Sequence, residues 1–260
     1  MKKPIALILM FILLISCCFT AYAETKSSIG KNINGTEDST GAKENKTKSN
    51  ITFRGIPLGS SYTDTISALK EQGIELDYDD EFIDSEVCYE GACYSIDVAG
   101  HDMYLQVYFT YPGKLEDLAL EYNEKSFVRY KIANPPKVED CVFYYAQYSY
   151  TTPDHDKSNF DEIEIKLESL YGAPSEKNYS SSNYKPSDLK AKWEDDDAYI
   201  ELSAMYTTTA NYQSKGDQKI YIEYCDKKGD EIASRNWDWY RTEEEKIRNE
   251  KIVNTGTGGL

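Results

Sequence analysis

Histidine is rare in this sequence, and the usual catalytic motifs are absent from it. Its 260 residues include only two histidines, His101 at the corner of a predicted hairpin and His155 in a polar loop. There is no G-x-S-x-G nucleophile elbow, no P-loop, no H-E-x-x-H zinc motif and no glycine-rich dinucleotide turn. Because these arrangements carry common enzyme chemistries, their absence favours a protein that is not an enzyme and needs no cofactor.

Positive charge is also scarce. The chain has 29 Lys and Arg against 45 Asp and Glu, which gives a formal net charge of −16. Nucleic acids and anionic membrane surfaces are bound through clustered Lys and Arg. The composition therefore argues against a nucleic-acid partner and against a membrane partner other than through a lipid anchor. It is compatible with a basic partner.

Carboxylates, by contrast, are abundant, so a hydrolase with paired carboxylates is kept as a third functional hypothesis. The acidic run DYDDEFIDSE has carboxylates at alternating positions. It has Phe82 where a calcium-binding EF-hand needs Gly, and Cys88 where the EF-hand needs Glu. The run WEDDDAYIE is better interpreted as a hairpin turn through residues 195–197. We therefore predict no metal site.

The N-terminus has the pattern of an export signal. Lys2 and Lys3 precede the apolar run IALILMFILLIS, and the small-residue pattern AYA ends at Ala23. The apolar run is too short to span a bilayer comfortably. Cleavage after Ala23 would release a soluble protein, but LISC also resembles the bacterial lipobox, in which Cys17 would be lipidated. Residues 1–23 are thus predicted to be a signal peptide, and the protein to be extracellular or attached to the cell surface.

A polar segment follows the signal. Residues 24–50 contain only three apolar side chains, those of Ile29, Ile33 and Ala42. Such a segment cannot bury enough surface to offset the entropy lost on ordering, so we predict a disordered linker. Its random-coil reach of about 30 Å would suit a tether that holds a domain away from a membrane.

Four cysteines follow the signal, namely Cys88, Cys93, Cys141 and Cys225. An even number in an exported chain suggests disulfides, and four cysteines allow three pairings. In CYEGAC, the dipeptide Glu-Gly can form a two-residue turn that places Cys88 opposite Cys93. Cys141 would then pair with Cys225. The spacing does not fit the paired C-x-x-C pattern of zinc sites.

The stretch SNFDEIEIKLESLYGAPSEK contains both ends of a helix. Ser158 or Asn159 is a candidate N-cap, Gly172 ends the helix, and a proline follows. Its apolar stripe consists of Phe160, Ile163, Leu167, Leu170 and Tyr171. Residues 59–73 repeat this organisation, with Ser61 as the N-cap and Gly73 as the stop.

Each predicted helix is followed by about three strands of alternating polarity. The first set is ACYSIDVAG, HDMYLQVYFTY and LEDLALEY, and the second is LKAKWED, DAYIELSAMY and QKIYIEYC. This order predicts an α+β fold made of a duplicated unit, in which one helix packs on an antiparallel sheet of about three to four strands. The repeats would span 51–137 and 138–240. The segment NWDWY is interpreted as a last strand or docking segment with both tryptophans on one side, and 241–260 as a helix and flexible tail.

Capped helices followed by small sheets, twice over in an exported chain, resemble the BamE/SmpA-like and beta-lactamase-inhibitor-protein-like folds. They are also similar to secreted proteins and lipoproteins of Gram-positive bacteria. The residues that carry the likeness are Gly59, Ser60, Ser61, Asp64, Ile66, Leu69 and Gly73, and then Ser158, Asp161, Ile163, Leu167, Leu170, Gly172 and Pro174. The resemblance implies a protein that binds other proteins, since characterised members of such folds do so.

Tyrosine is the most unusual component, with 23 residues against 8 phenylalanines. Strand alternation places several of them opposite the apolar stripes, and the candidate binding residues are Tyr104, Tyr108, Tyr145, Tyr199 and Tyr221. Tyrosine rings offer large contact areas at low entropic cost and keep a polar tip. We therefore predict a non-catalytic binding or envelope-associated module that contacts a protein of the envelope or extracellular space. The alternative is a carbohydrate or cell-wall binder that uses the same face. A structural interpretation, in which the rings only cover the sheet, also remains open.

Overall fold

The computed structural model describes residues 50–78, 88–115, 118–122, 130–153, 157–178, 189–206 and 217–256. The predicted signal peptide, the linker and Cys17 lie outside these residues, as do His155 and most of the acidic run that begins at Asp77. Within the described ranges, no helix is both long and apolar enough to cross a membrane.

The described residues form an α+β fold with three α-helices and antiparallel strands. The helices are α1 (Tyr62–Glu71), α2 (Ser158–Tyr171) and α3 (Lys227–Gly256). The strands are β1 (Thr52–Phe53), β2 (Ile56–Pro57), β3 (Asp77–Tyr78), β4 (Cys88–Val98), β5 (His101–Thr110), β6 (Leu120–Tyr122), β7 (Tyr130–Ile132), β8 (Val142–Thr152), β9 (Glu176–Lys177), β10 (Leu189–Glu194), β11 (Ala198–Tyr206) and β12 (Gln218–Asp226). A short 3₁₀ turn, Val138–Asp140, precedes β8.

Eight strands form one antiparallel sheet in the order β3-β4-β5-β8-β12-β11-β10-β9. Each of the first two helices is followed by a meander, as predicted, but the two meanders join on either side of β8. These eight strands form one continuous sheet over one core, and the predicted duplicated unit is not evident. The predicted strand LEDLALEY also differs, since β6 pairs only with β7 in a separate hairpin.

One face of the sheet is covered by α1, α2 and the N-terminal segment. The inner side chains of β5 are Met103, Leu105, Val107 and Phe109, all nearly inaccessible, as their alternation predicted. Leu69 of α1 and Phe160 of α2 pack into the same core. The alternation of apolar and polar side chains along the strands thus determines which face of the sheet is buried.

The N-terminal segment ITFRGI forms a tight hairpin of β1 and β2. Its turn residues Arg54 and Gly55 have φ angles of 53° and 79°. Two successive positive φ angles are typical of a type I′ turn, for which Asn-Gly is the usual sequence. Because Arg54 stands where asparagine is usual, the sequence does not indicate this turn. The hairpin inserts Phe53, whose side chain is fully buried, into the core.

Helix α1 follows its sequence signals closely, whereas α2 follows them in part. Ser61 Oγ accepts a hydrogen bond from the Asp64 amide at 3.2 Å, as a helix N-cap does. In α2, neither Ser158 nor Asn159 caps the helix, because Ser158 is its first helical residue and Lys157 precedes it without a side-chain cap. Leu170 was predicted to be buried but is 71% exposed.

The C-terminal segment is one 30-residue helix, α3. NWDWY is therefore helical and not a last strand, and the helix predicted after it is part of the same element. Helix α3 begins directly after β12, where Asp226 Oδ2 accepts a hydrogen bond from the Gly229 amide at 2.7 Å. The helix buries Tyr240 against Leu115 and Ile132 of a second small cluster. Helical periodicity separates the two tryptophans, so that Trp239 contacts this cluster while Trp237 is 42% exposed.

All four described cysteines are thiols, and the predicted disulfides are absent from the described residues. CYEGAC is not a hairpin but a continuous part of β4. Cys88 and Cys93 are therefore five residues apart along one strand, about 16 Å, which is well beyond the span of a disulfide. They also lie on opposite faces, because Cys88 pairs across from Thr110 and Cys93 from the core residue Leu105.

Cys141 and Cys225 are separated by a β-bulge in β8. Tyr145 pairs with Tyr108, but Phe143 pairs with Phe109, so Tyr144 is an extra residue. The bulge moves Cys141 to the core side, while Cys225 remains opposite Tyr145 on the outer face. Burial is the main cause that raises the pKa of each of these two thiols to about 12.

Thiol reactivity should follow this arrangement. At about pH 8, iodoacetamide should modify Cys93 at least about a hundredfold faster than Cys141 or Cys225, because only the thiolate reacts and burial disfavours it. Mass spectrometry of time points gives the rates at each cysteine. Denatured protein is the control, and all four cysteines should then react. Loss of two reactive thiols under denaturing conditions would reveal a disulfide and overturn this assignment.

Candidate functional site: the outer face of the sheet

The five tyrosines selected from the sequence lie on the outer face of the sheet, opposite the core. We call this surface the tyrosine face; its tyrosines are Tyr104 and Tyr108 from β5, Tyr145 from β8, Tyr199 from β11 and Tyr221 from β12. All five are half-buried. The strand register orders the outer side chains into three rows that run across the strands. Their placement together is thus as predicted, and their binding role stays a prediction.

The first row is aromatic and contains Tyr108, Tyr145, Cys225 and Tyr199. The rings of Tyr108 and Tyr145 meet edge to face with their centroids 5.6 Å apart. Burial, followed by the charge of Glu223, raises the pKa of Tyr145. Burial, followed by a hydrogen bond with Cys225, raises the pKa of Tyr199. These phenols therefore stay protonated over the physiological range.

The middle row is polar and holds the neighbouring phenols in place. Gln106 Nε2 donates to Glu90 Oε1 at 2.6 Å and contacts the Tyr108 hydroxyl at 2.9 Å. The next strand repeats the pattern. There, Gln147 Nε2 donates to Glu223 Oε1 at 2.8 Å and contacts the Tyr145 hydroxyl at 2.9 Å. We call these two groups the Glu–Gln–Tyr triads: Glu90, Gln106 and Tyr108, and Glu223, Gln147 and Tyr145.

The third row borders the exposed ring of Tyr94. Tyr104 and Tyr221 lie on either side of Ser149. Tyr94, at 73% the most exposed large apolar side chain described, approaches Tyr104 with ring centroids 5.3 Å apart. Burial and then the charge of Glu90 raise the pKa of Tyr104. The row thus offers two further phenols with hydrogen-bonding tips beside a solvated ring.

Lysines balance the carboxylates at the β10 side of the face. Lys190 Nζ lies 2.7 Å from Glu201, and Lys192 Nζ lies 2.9 Å from Glu194. The Lys192 ammonium also lies 4.7 Å from the centre of the Tyr199 ring, a cation–π distance. This side therefore combines carboxylate, aromatic ring and ammonium in one arrangement.

Helix α3 covers the end of the face next to the first row. Gly229 lies directly against Tyr144, and Asn236 Nδ2 donates to Tyr111 O at 2.8 Å and to Thr110 Oγ1 at 3.3 Å. Thr110 and Cys225 are fully buried as a result. In the described part of the chain, no other helix packs on this face. Among the described residues, the middle and third rows are therefore the part of the face that no helix covers.

A shallow depression lies where α3 crosses β8. It has a volume of about 410 Å³ and is lined by Tyr144, Ala233, Ser234, Trp237 and Asp238. The Arg241 guanidinium stacks 4.6 Å from the centre of the Trp237 ring. The depression thus pairs two aromatic side chains with a hydroxyl and a carboxylate, a combination suited to a polar ring.

Other chemistry-bearing residues lie away from the tyrosine face. His101 is at the β4–β5 turn, where its Nε2 is 3.9 Å from Glu162 and its ring packs on Tyr150. Asp195 Oδ1 accepts from the amides of Asp197 and Ala198, which confirms the turn predicted there. In the described part, no three His, Cys, Asp or Glu side chains converge as a metal site requires.

The sequence analysis did not predict the two triads, although the strand alternation already placed some of their residues on the same face as the tyrosines. Gln106 shares the phase of Tyr104 and Tyr108, and Glu223 shares the phase of Tyr221. Their partnership depends on which strands are neighbours, and β8 lies between β5 and β12 only in the folded sheet.

No protein-family model, no curated protein and no solved structure matches the chain.

Proposed function

We propose that this protein is an exported, non-catalytic binding module, and that its tyrosine face contacts another protein of the cell envelope or extracellular space. The observation that supports the proposal is the convergence of five tyrosines from four strands on a face that α3 covers only at one end. Tyrosine is enriched at protein interfaces because one ring supplies apolar area together with a hydrogen-bonding tip.

The arrangement favours binding over acid–base catalysis. A general base needs a pKa near the working pH. Burial instead raises the pKa of Tyr104, Tyr145 and Tyr199, so these phenols serve as hydrogen-bond donors and acceptors. Gln106 and Gln147 hold two hydroxyls before any partner arrives. Side chains that are already ordered lose less entropy on association.

Export remains part of the proposal through the sequence pattern of residues 1–23. Release after Ala23 and lipid attachment at Cys17 place the same domain outside the cytoplasm. The resemblance of residues 59–73 and 158–174 to protein-binding folds points in the same direction. Residues 24–50 would then act as the tether between an anchor at Cys17 and the folded domain.

A capture experiment tests the proposal. The full-length chain, attached to beads, is exposed to envelope extract beside a Tyr104→Ala/Tyr108→Ala/Tyr221→Ala variant. A protein captured by the wild type should bind the variant at least about tenfold less, because central aromatic residues carry most interface energy. The matched control is Ile165→Ala/Leu170→Ala, which removes two exposed apolar side chains on α2, in the layer on the other side of the sheet.

Circular dichroism and Tm establish that each bait is folded. Equal capture by the wild type and a folded triple variant would show that the tyrosines are structural, and the proposed function would be withdrawn. Loss of capture by the α2 control alone would place the interface on the helical layer instead.

Carbohydrate binding is the second candidate, and the depression beside α3 favours it. Tyr144 and Trp237 offer ring faces there, and Ser234 and Asp238 offer polar atoms at the same opening. Saturable binding of soluble cell-wall glycans that is lost in Trp237→Ala, with capture of proteins unaffected, would select this function over the first.

A further inference from the structure

We propose that the partner is basic, and that it places Lys or Arg side chains over the two Glu–Gln–Tyr triads. This inference rests on the proposed function and names the chemistry of the partner. It is drawn from an asymmetry of the tyrosine face: carboxylates at the β10 side are paired with lysines of the chain, whereas those of the triads form no ion pair with any described residue.

The two sides differ in their ion pairs. At the β10 side, Glu201 and Glu194 are paired with lysines at 2.7 and 2.9 Å, and Lys227 adds a contact of 2.6 Å to Glu194. Glu90 and Glu223 accept hydrogen bonds from glutamine amides, and Glu223 is also hydrogen-bonded to Tyr145. Neither carboxylate forms an ion pair with any described residue, although the charge of Glu223 acts on Lys190 from a greater distance. A carboxylate whose hydrogen bonds come from neutral groups keeps its charge and further lone pairs for an incoming donor.

The β10 side also indicates what the triads would bind. Glu194 and Tyr199 are cross-strand neighbours, and the Lys192 ammonium contacts both, at 2.9 Å from the carboxylate and 4.7 Å from the ring centre. Glu90 and Tyr108 are cross-strand neighbours in the same way. At the β10 side, the chain's own Lys192 supplies the ammonium. At the first triad, a cation of the partner would take the equivalent position.

Strand β4 has no lysine at the corresponding place. Lys192 lies two residues from Glu194 along β10, and the residue two positions from Glu90 along β4 is Ala92. Alanine supplies no ammonium beside Glu90, Gln106 and Tyr108. The first triad therefore has the carboxylate and the ring of a cation site, but alanine stands where the β10 side has its own ammonium.

The second triad presents the same chemistry two strands away. Glu223 borders Gln147, and the Tyr145 ring stands edge to face with that of Tyr108. Two carboxylates thus flank a pair of tyrosine rings across β4, β5, β8 and β12. Half-buried charges attract a cation more strongly than fully solvated ones, and ring faces add a cation–π contribution. A segment with alternating basic residues would satisfy both triads together.

The test uses a fluorescein-labelled peptide of alternating Arg and Ser, with a Glu-Ser peptide as the acidic counterpart, and measures fluorescence anisotropy with the full-length chain. The decisive variant is Glu90→Gln/Glu223→Gln, which keeps an oxygen for each glutamine amide. The matched control is Glu194→Gln/Glu201→Gln, which changes the net charge equally on the same face but at carboxylates already paired with lysines.

We expect the Arg-Ser peptide to bind the wild type and the Glu-Ser peptide not to bind. Glu90→Gln/Glu223→Gln should weaken binding by about tenfold or more, since hydrogen bonds to charged groups are the strong ones. The control should weaken it by less than about twofold. Equal losses in both variants would show that net charge alone attracts the peptide, and absence of binding to the wild type would show that the face does not take cations; either result overturns the inference.

The protein captured from envelope extract separates this inference from the proposed function. If its binding is lost with the tyrosine triple variant but unchanged with Glu90→Gln/Glu223→Gln, the tyrosine face binds a partner and the basic chemistry is wrong. If the folded triple variant keeps the captured protein, the proposed function itself fails. If both variants lose it while the Glu194→Gln/Glu201→Gln control retains it, the inference stands.

Discussion

Replacing Phe53 by alanine should lower the free energy of unfolding by about 3–5 kcal/mol, the range for removing a buried aromatic ring. Phe53 is fully buried although it belongs to a two-residue strand near the chain's N-terminal side. Its ring packs against Phe143, Tyr148 and Tyr224, with centroid distances of 5.7, 5.5 and 5.3 Å. Alanine would leave a cavity between β8, β12 and the hairpin, since the main sheet cannot collapse to fill it.

Urea denaturation of the wild type and of Phe53→Ala measures this loss. Tyr94→Ala is the control, because Tyr94 is 73% exposed and its removal should change stability by no more than about 0.5 kcal/mol. A loss below about 1 kcal/mol for Phe53→Ala would mean that the β1–β2 hairpin does not complete the core.

Gly229→Ala should be destabilising by about 1–3 kcal/mol, the cost of overpacking a filled site. In an ordinary helical position the same change would be stabilising, because alanine has the higher helix propensity. Here the new Cβ would lie 2.3 Å from the Tyr144 Cβ and 3.2 Å from its Cα. Neither atom is the end of a flexible side chain, so α3 and β8 must move apart.

The displacement should also reach the tyrosine face, because Tyr145 follows Tyr144 directly and its ring is 6.2 Å from that of Tyr144. Thermal and urea unfolding measure the loss of stability. Lys228→Ala, at an exposed position of the same helical turn, is the control and should stay within about 0.5 kcal/mol of the wild type. Increased stability in Gly229→Ala would contradict the close packing of α3 on β8.

The sequence predicted those parts of the fold that depend on interactions between residues close together along the chain. Alternation in β5 identified its buried side chains, because successive residues of a strand point to opposite faces. Ser61 and Gly73 marked both ends of α1, because each satisfies a backbone requirement within a few residues. The outer position of the five tyrosines followed from the same alternation.

Features that depend on distant segments were not predictable in this way. The bulge at Tyr144 inverts the phase of β8 and separates Cys141 from Cys225, yet it is visible only in the pairing with β5. Helix α3 is anchored by Asn236 and Tyr240, which contact β5, the residue after it and β7, all more than a hundred residues earlier. The triads depend on β8 lying between β5 and β12, an order that the chain sequence does not display.

The claim that the tyrosine face is the binding surface is tested most directly by photo-cross-linking, which shows the position in the chain that a partner contacts. A photoreactive phenylalanine derivative would replace Tyr221 on the tyrosine face or, in a second protein, Ile165 on α2, which is 65% exposed. After irradiation in envelope extract, we predict a discrete protein adduct from position 221 and none from position 165. An adduct from position 165 with none from position 221 would contradict the assignment of the tyrosine face as the binding surface.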